Sequence, residues 1–398
     1  MAAHPLVTEY LRLGLAFDRL EDGFVDAYTG DPALRREVAN APAPEPRQLA
    51  RRAAELRAGL PDAGLTVERT EFLDVHLRAL ECSGRKFAGD DIGFVDEVRA
   101  YFDVDIAPGN VEDYRDAHRQ MDEVLAGTGP LAQRVATHRK ADEIPPERLA
   151  ACVAAFSDAL RELVRDRYPL PDHEHVTYEV VGDKPWSGFN YYLGNYQSRV
   201  AINSDLKQHM THLPSLIAHE SYPGHHTEHC RKEAGLVATG QAEQTLFVVN
   251  TPQCLMAEGL ADLALQAIVG PGWGKWAQEI YADLGLRFDG ERAEQLSTAS
   301  AKLLSVRQDA ALLLHDQHRP EDEVTEFLQT WSLATPERAR QTLRFLSSPL
   351  WRAYISTYVE GYRLLGGWLD RATAADDRAD RFRRLLDEPL TPGALRRN

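Results

Sequence analysis

Apolar residues recur at helical spacing along almost the whole chain, and that period sets the fold class before any motif is considered. Over residues 4–20, Leu6, Tyr10, Leu11, Leu13, Leu15, Phe17 and Leu20 fall at i, i+3/i+4 and i+7 intervals, which lines one side of a helix with apolar groups. The stripe returns over 45–60, 67–83, 111–126 and 146–166. Short Gly and Pro clusters such as Gly30-Asp31-Pro32 and Pro145-Pro146 separate these stretches and read as helix–turn–helix connections. One segment departs from the period. His175 to Val181 alternates and is β-branched, Gly182-Asp183 is a turn signal, and Tyr191 to Leu193 and Ser198 to Asn203 read as further strand. The expectation is a mainly α protein with one small antiparallel sheet near 174–203. An N-terminal helical half, 1–172, would form the wall or cap of a groove. A catalytic half, 173–398, would complete one compact unit.

Charge narrows the function classes. With 45 Lys+Arg against 61 Asp+Glu the chain carries a net charge of −16, which argues against nucleic acid and against an anionic membrane surface as partners. The longest unbroken apolar run, Leu149 to Phe156, is far short of the roughly 20 residues a membrane span needs. The start has neither a basic nor an apolar leader region, and the four cysteines (Cys82, Cys152, Cys230, Cys254) are scattered, so a cytoplasmic location is expected.

Of 14 histidines, six lie between His209 and His229, and the chemistry is expected there. At its centre stands His219-Glu220, followed by Pro223-Gly224-His225-His226. Two histidines one helical turn apart can hold Zn²⁺ while a Glu beside the first accepts a proton from water. Here the i+4 position is Pro223, and His225 and His226 sit at i+6 and i+7. Two residues seven apart on a straight helix are about 10 Å apart along its axis, too far for one ion. Pro223 must therefore kink or bulge the helix. Gly224 makes His225 the preferred ligand over His226, because glycine frees the backbone to turn; His226 is left as a supporting residue near the ligands. Downstream, Thr251-Pro252 reads as a capped helix start. Glu258 and Asp262 then share one face of an otherwise apolar helix, where unpaired acids would be costly. Glu258 as third ligand and Asp262 as the acceptor that orients a ligand histidine would satisfy both.

These residues resemble the gluzincin metallopeptidases related to angiotensin-converting enzyme, thimet oligopeptidase and carboxypeptidase Taq, which are mainly helical. The two inserted residues around Pro223 are similar to the hallmark of domain-of-unknown-function family 885. The segment from Gly23 to Pro32, Arg307 and His315 with Ala311 at a position where Asp is common, the stretch from Tyr358 to Gly361, and loosely the ending from Leu386 to Gly393 extend the likeness over nearly the whole chain. The resemblance implies a zinc-dependent hydrolase of an amide or peptide bond in a small peptide or modified amino acid, with Glu220 as base. Tyr358, His315 and Tyr354 are candidate oxyanion donors. Arg307, Arg352 and Arg363 are unranked candidates for clamping a carboxylate. The strand ending at Asn203 is expected to line the cleft and pair with extended substrate. Two alternatives remain open: non-haem iron chemistry on the same two histidines and carboxylate, and a non-catalytic helical binding protein with a degenerate site.

Overall fold

A computed structural model describes residues 4–182 and 187–397, the side chains of 375 and 376 excepted; Asp183 of the expected turn lies outside them. The fold is mainly α, with two small sheets. The helical stripes become helices Pro5–Phe17, Pro46–Ala58, Val67–Phe87, Val111–Val124 and Pro146–Arg167. Several start with Pro in the first turn, where its missing N–H costs nothing.

Five strands complete the scaffold: β1 (Val25–Tyr28), β2 (His175–Val181), β3 (Gly188–Gly194), β4 (Gln197–Asn203) and β5 (Leu246–Val248). The sheet near 174–203 is present, but it is mixed rather than antiparallel. Its order is β2-β4-β3, with β2 parallel and β3 antiparallel to β4. β3 and β4 form a hairpin across Asn195 and Tyr196, both at positive φ (53° and 58°), the backbone of a tight hairpin turn. β4 is thereby flanked on both sides, so it has no free edge to offer a substrate. The free edge beside the helices Leu213–Glu220 and His225–Lys232 belongs to β3, and the expectation that Ser198 to Asn203 pairs with substrate is corrected. Asn203 is fully buried. Its side-chain oxygen accepts the Asp205 N–H at 2.9 Å, and its carbonyl accepts from Gln208. Those bonds close the turn leaving β4.

A second sheet was not expected. β1 pairs antiparallel with β5, more than two hundred residues away in sequence. This ladder ties the N-terminal helices to the segment that leads into helix Pro252–Ile268. One apolar core gathers Val7, Tyr10, Leu73 and Leu77 with Leu246, Val248 and Leu350. A larger one spans Ala79 to Leu395 and takes residues from both sides of position 172.

Candidate metal centre

The His219 helix (Leu213–Glu220) ends where a regular two-histidine motif would continue, and the His225 helix (His225–Lys232) starts after residues 221–224. The chain is thus broken, not kinked. The Gly224 N–H donates to the Ala218 carbonyl at 2.9 Å. A Cβ at this position would stand 1.9 Å from the His219 carbonyl oxygen. Glycine is therefore required by close approach, with φ −75°, rather than by the freedom to turn expected from the sequence. The Glu258 helix (Pro252–Ile268) crosses the His219 helix. Thr251 sits at its start, but its hydroxyl donates to the Val248 carbonyl at 2.7 Å instead of capping the helix.

These three helices bring His219, His225 and Glu258 together. His225 Nε2 lies 3.1 Å from His219 Nε2, and Glu258 carboxylate oxygens lie 3.5 Å from each. Three ligands about 2.0–2.1 Å from one tetrahedral centre stand roughly 3.3 Å from each other, so the trio has the spacing that zinc requires. His219 Nδ1 meets Asp262 Oδ1 at 3.0 Å. Because that carboxylate can only accept, Nδ1 carries the proton and the Nε2 lone pair faces the trio. Glu258 Oε1 accepts the Tyr354 hydroxyl at 2.8 Å, while Oε2 is buried without a hydrogen-bond partner. An orphaned carboxylate oxygen costs about 1–3 kcal/mol, which a cation would relieve. The donor set of two imidazoles and a carboxylate also suits zinc.

Glu220 ends the His219 helix, 5% exposed. Its backbone carbonyl accepts from Asn190 of β3 at 2.6 Å. Its carboxylate has no hydrogen-bond partner among the described residues. A Cβ on Gly188 would lie 2.9 Å from Leu216 Cδ1 and 3.3 Å from Glu220 Oε1, so the missing side chain lets β3 lie close against the His219 helix. Burial pushes the Glu220 pKa up, and the charges of Glu258 and Asp262 push the same way against those of His219 and His225. Burial would also raise Glu258, but its contacts with His219 and His225 outweigh that and hold its pKa down.

The other candidates separate. Tyr358 lies within charge range of Glu258, Asp262 and Glu220, and its hydroxyl bonds to none of the described residues. Its ring is 5.5 Å from that of Tyr354, whose own hydroxyl is committed to Glu258. His315 lies elsewhere: its Nε2 bonds the Leu346 carbonyl at 2.7 Å, its ring packs on Phe94, and Arg352, Glu97 and Lys86 are its charged neighbours. The role of oxyanion donor does not fit that position. His226 turns away from the trio, its Nε2 donating to Glu174 at 3.0 Å and its Nδ1 accepting from Ser198 at 2.9 Å. It is a core polar group and touches no ligand. Arg352 is bound to buried Glu97, and Arg363 to Glu360 and Ser305. Arg307 has no hydrogen bond or ion pair among the described residues and lies within charge range of Asp262 and Tyr358. The structure thus ranks three arginines that the sequence left equal.

Sequence reasoning missed Asp26 on β1. Burial raises its pKa to about 7, and it is within charge range of His225, Glu258 and Glu220. Its signal was a single acid within the apolar run from Phe24 to Tyr28. Volume does not locate this centre. A concavity of about 410 Å³ lined by Leu163, Asp166 and Arg383 shares no residue with it.

Among solved structures, the chain resembles a putative lipoprotein from Colwellia psychrerythraea, with a TM-score of 0.58 and 15% identity over 89% of this chain and 67% of that one. It also resembles a putative lipoprotein of unknown function from Shewanella oneidensis, with a TM-score of 0.50 and 12% identity over 92% and 75% of the two chains. At such identity the likeness is one of fold. No family model and no curated protein matches the sequence.

Proposed function

We propose that this chain is a zinc-dependent hydrolase acting on an amide or peptide bond of a small peptide or modified amino acid, a gluzincin-like member of domain-of-unknown-function family 885. The observation that carries the reading is the spacing of His219, His225 and Glu258, at 3.1–3.5 Å, with the free carboxylate of Glu220 beside it. When bound there, zinc supplies a Lewis acid that polarises a carbonyl and makes water more acidic. The residues do the rest. Asp262 holds His219 in the ligating tautomer. Glu220, its pKa raised toward the working range of a general base, accepts a proton from the attacking water and returns it to the leaving nitrogen. Tyr358 offers its free O–H to the carbonyl oxygen as charge develops there.

Glu220 favours hydrolysis over iron-dependent oxygen chemistry, which has no use for a base at that position. A non-catalytic reading would tolerate its loss. Glu220→Gln should keep the metal and lower turnover of a susceptible peptide by about 10²–10⁴-fold. Full activity in that variant would remove Glu220 as base.

A further inference from the structure

The two histidines of the trio are not held alike. A ligating histidine ordinarily donates its second ring nitrogen to an acceptor that fixes the ring. His219 does so, with Nδ1 on Asp262 at 3.0 Å. His225 Nδ1 bonds to none of the described residues. The direction of His225 must then come from the backbone that carries it, and that backbone emerges directly from the break at residues 221–224. Whatever fixes the break therefore fixes the second ligand.

One carboxylate oxygen holds the chain on both sides of Pro223-Gly224-His225. Glu174, the residue before β2, accepts the Tyr222 hydroxyl on Oε2 at 2.7 Å, and the same oxygen accepts from His226 Nε2 at 3.0 Å. Tyr222 lies within the break and His226 is the neighbour of the ligand. Their rings meet edge to face, with centroids 5.2 Å apart, and all three residues are buried. The carboxylate is itself fixed. Its Oε1 accepts from Arg161 Nε at 2.6 Å, the Glu174 carbonyl accepts from Arg161 Nη2 at 3.0 Å, and the Glu174 N–H donates to the Pro171 carbonyl at 3.0 Å. Arg161 belongs to helix Pro146–Arg167, which packs against the His219 helix. The clamp thus refers His225 to the same support that carries His219. A buried network with every member satisfied fixes direction in a way that apolar packing does not.

We propose that Glu174 is the positioning residue of the metal centre, aiming His225 at the ion by holding Tyr222 and His226 across the break. It touches neither metal nor substrate and acts only through these two side chains. Asp262 orients one ligand by its ring; Glu174 orients the other by its backbone. The proposal rests on the metal-site reading of the trio.

Zinc affinity by chelator competition and the visible spectrum of the cobalt(II)-loaded protein test it, both measured well below the melting temperature of each variant. Glu174→Gln keeps the shape but turns one acceptor into a donor, so either Arg161 or the Tyr222–His226 pair loses its partner. It should weaken zinc binding about 10-fold or more and shift the cobalt bands, because the ligand geometry changes. Tyr222→Phe removes one of the two holds without changing a charge, and it keeps the test alive if Glu174→Gln does not fold. It should shift the bands in the same direction. In the double variant the effects should fall short of their sum, as for residues acting through one contact. A lower melting temperature in both variants with unchanged zinc affinity and cobalt spectrum would make Glu174 a stabilising residue only and overturn the proposal. Failure of the metal-site reading shows separately, as native protein that takes up neither zinc nor cobalt.

Discussion

At the residue scale, the centre depends on groups with one task each, and their substitutions should part cleanly. Asp262→Ala removes the acceptor that fixes the His219 tautomer. It should weaken metal affinity about 10–100-fold without unfolding the protein, as read by competition with a chelator. An unchanged affinity would mean that His219 is oriented by something else. Gly224→Ala places a Cβ 1.9 Å from a backbone oxygen. Its expected cost is about 3 kcal/mol or more of stability, read by denaturant unfolding, since neither helix end can give way without moving a ligand. His219, Glu220, Glu258 and Asp262 were legible because their chemistry is local and their spacing is helical. Asp26 was not, since it reaches the site only through pairing of β1 with β5. The ranking of the arginines was also hidden: Arg352 is occupied by Glu97, 255 positions away.

At the scale of elements, the site is built where backbones come close. The π-helical segment Thr357–Gly361 crosses the Glu258 helix at Gly259, where a Cβ would meet Gly361 backbone atoms at 2.5 Å. That crossing sets Tyr354 on Glu258 and Tyr358 beside the trio. Gly259→Ala should force the elements apart, cost about 1–3 kcal/mol, and lower activity more than metal content, because Glu258 stays on its helix while Tyr358 moves. Equal loss of both would place the tyrosines outside catalysis. The helices themselves followed from their period. The mixed sheet did not, because alternation reports which residues face the core but not the direction or order in which strands pair.

At the scale of the whole molecule, the buried titratable groups set the response to acid. His76 stacks on Phe72, and burial holds its pKa at about 3. Below its ordinary value of 6.5 the unfolded chain takes up that proton and the folded chain does not, so stability falls as pH drops from about 6.5 toward 3. Glu174 adds a second step. Burial would raise its pKa, but hydrogen bonds from His226, Tyr222 and Arg161 outweigh that and hold it at about 2. Its contribution, about 3 kcal/mol for a shift of this size, is complete above about pH 4.5 and is lost toward pH 2. Melting temperatures measured from pH 8 to 3 should therefore fall in two stages. His76→Phe should flatten the first, and an unchanged profile in that variant would contradict this assignment. The same scale explains why an apolar helix can carry Glu258 and Asp262: the larger core buries its apolar residues, and the acids find partners in Tyr354 and His219.

The central claim is that His219, His225 and Glu258 hold zinc, and elemental analysis of the gently purified protein beside its Glu258→Ala variant tests it most directly. Near-stoichiometric zinc in the native protein and strong depletion in a folded variant is the predicted result. No divalent metal in the native protein, or the same metal content in both, would contradict it.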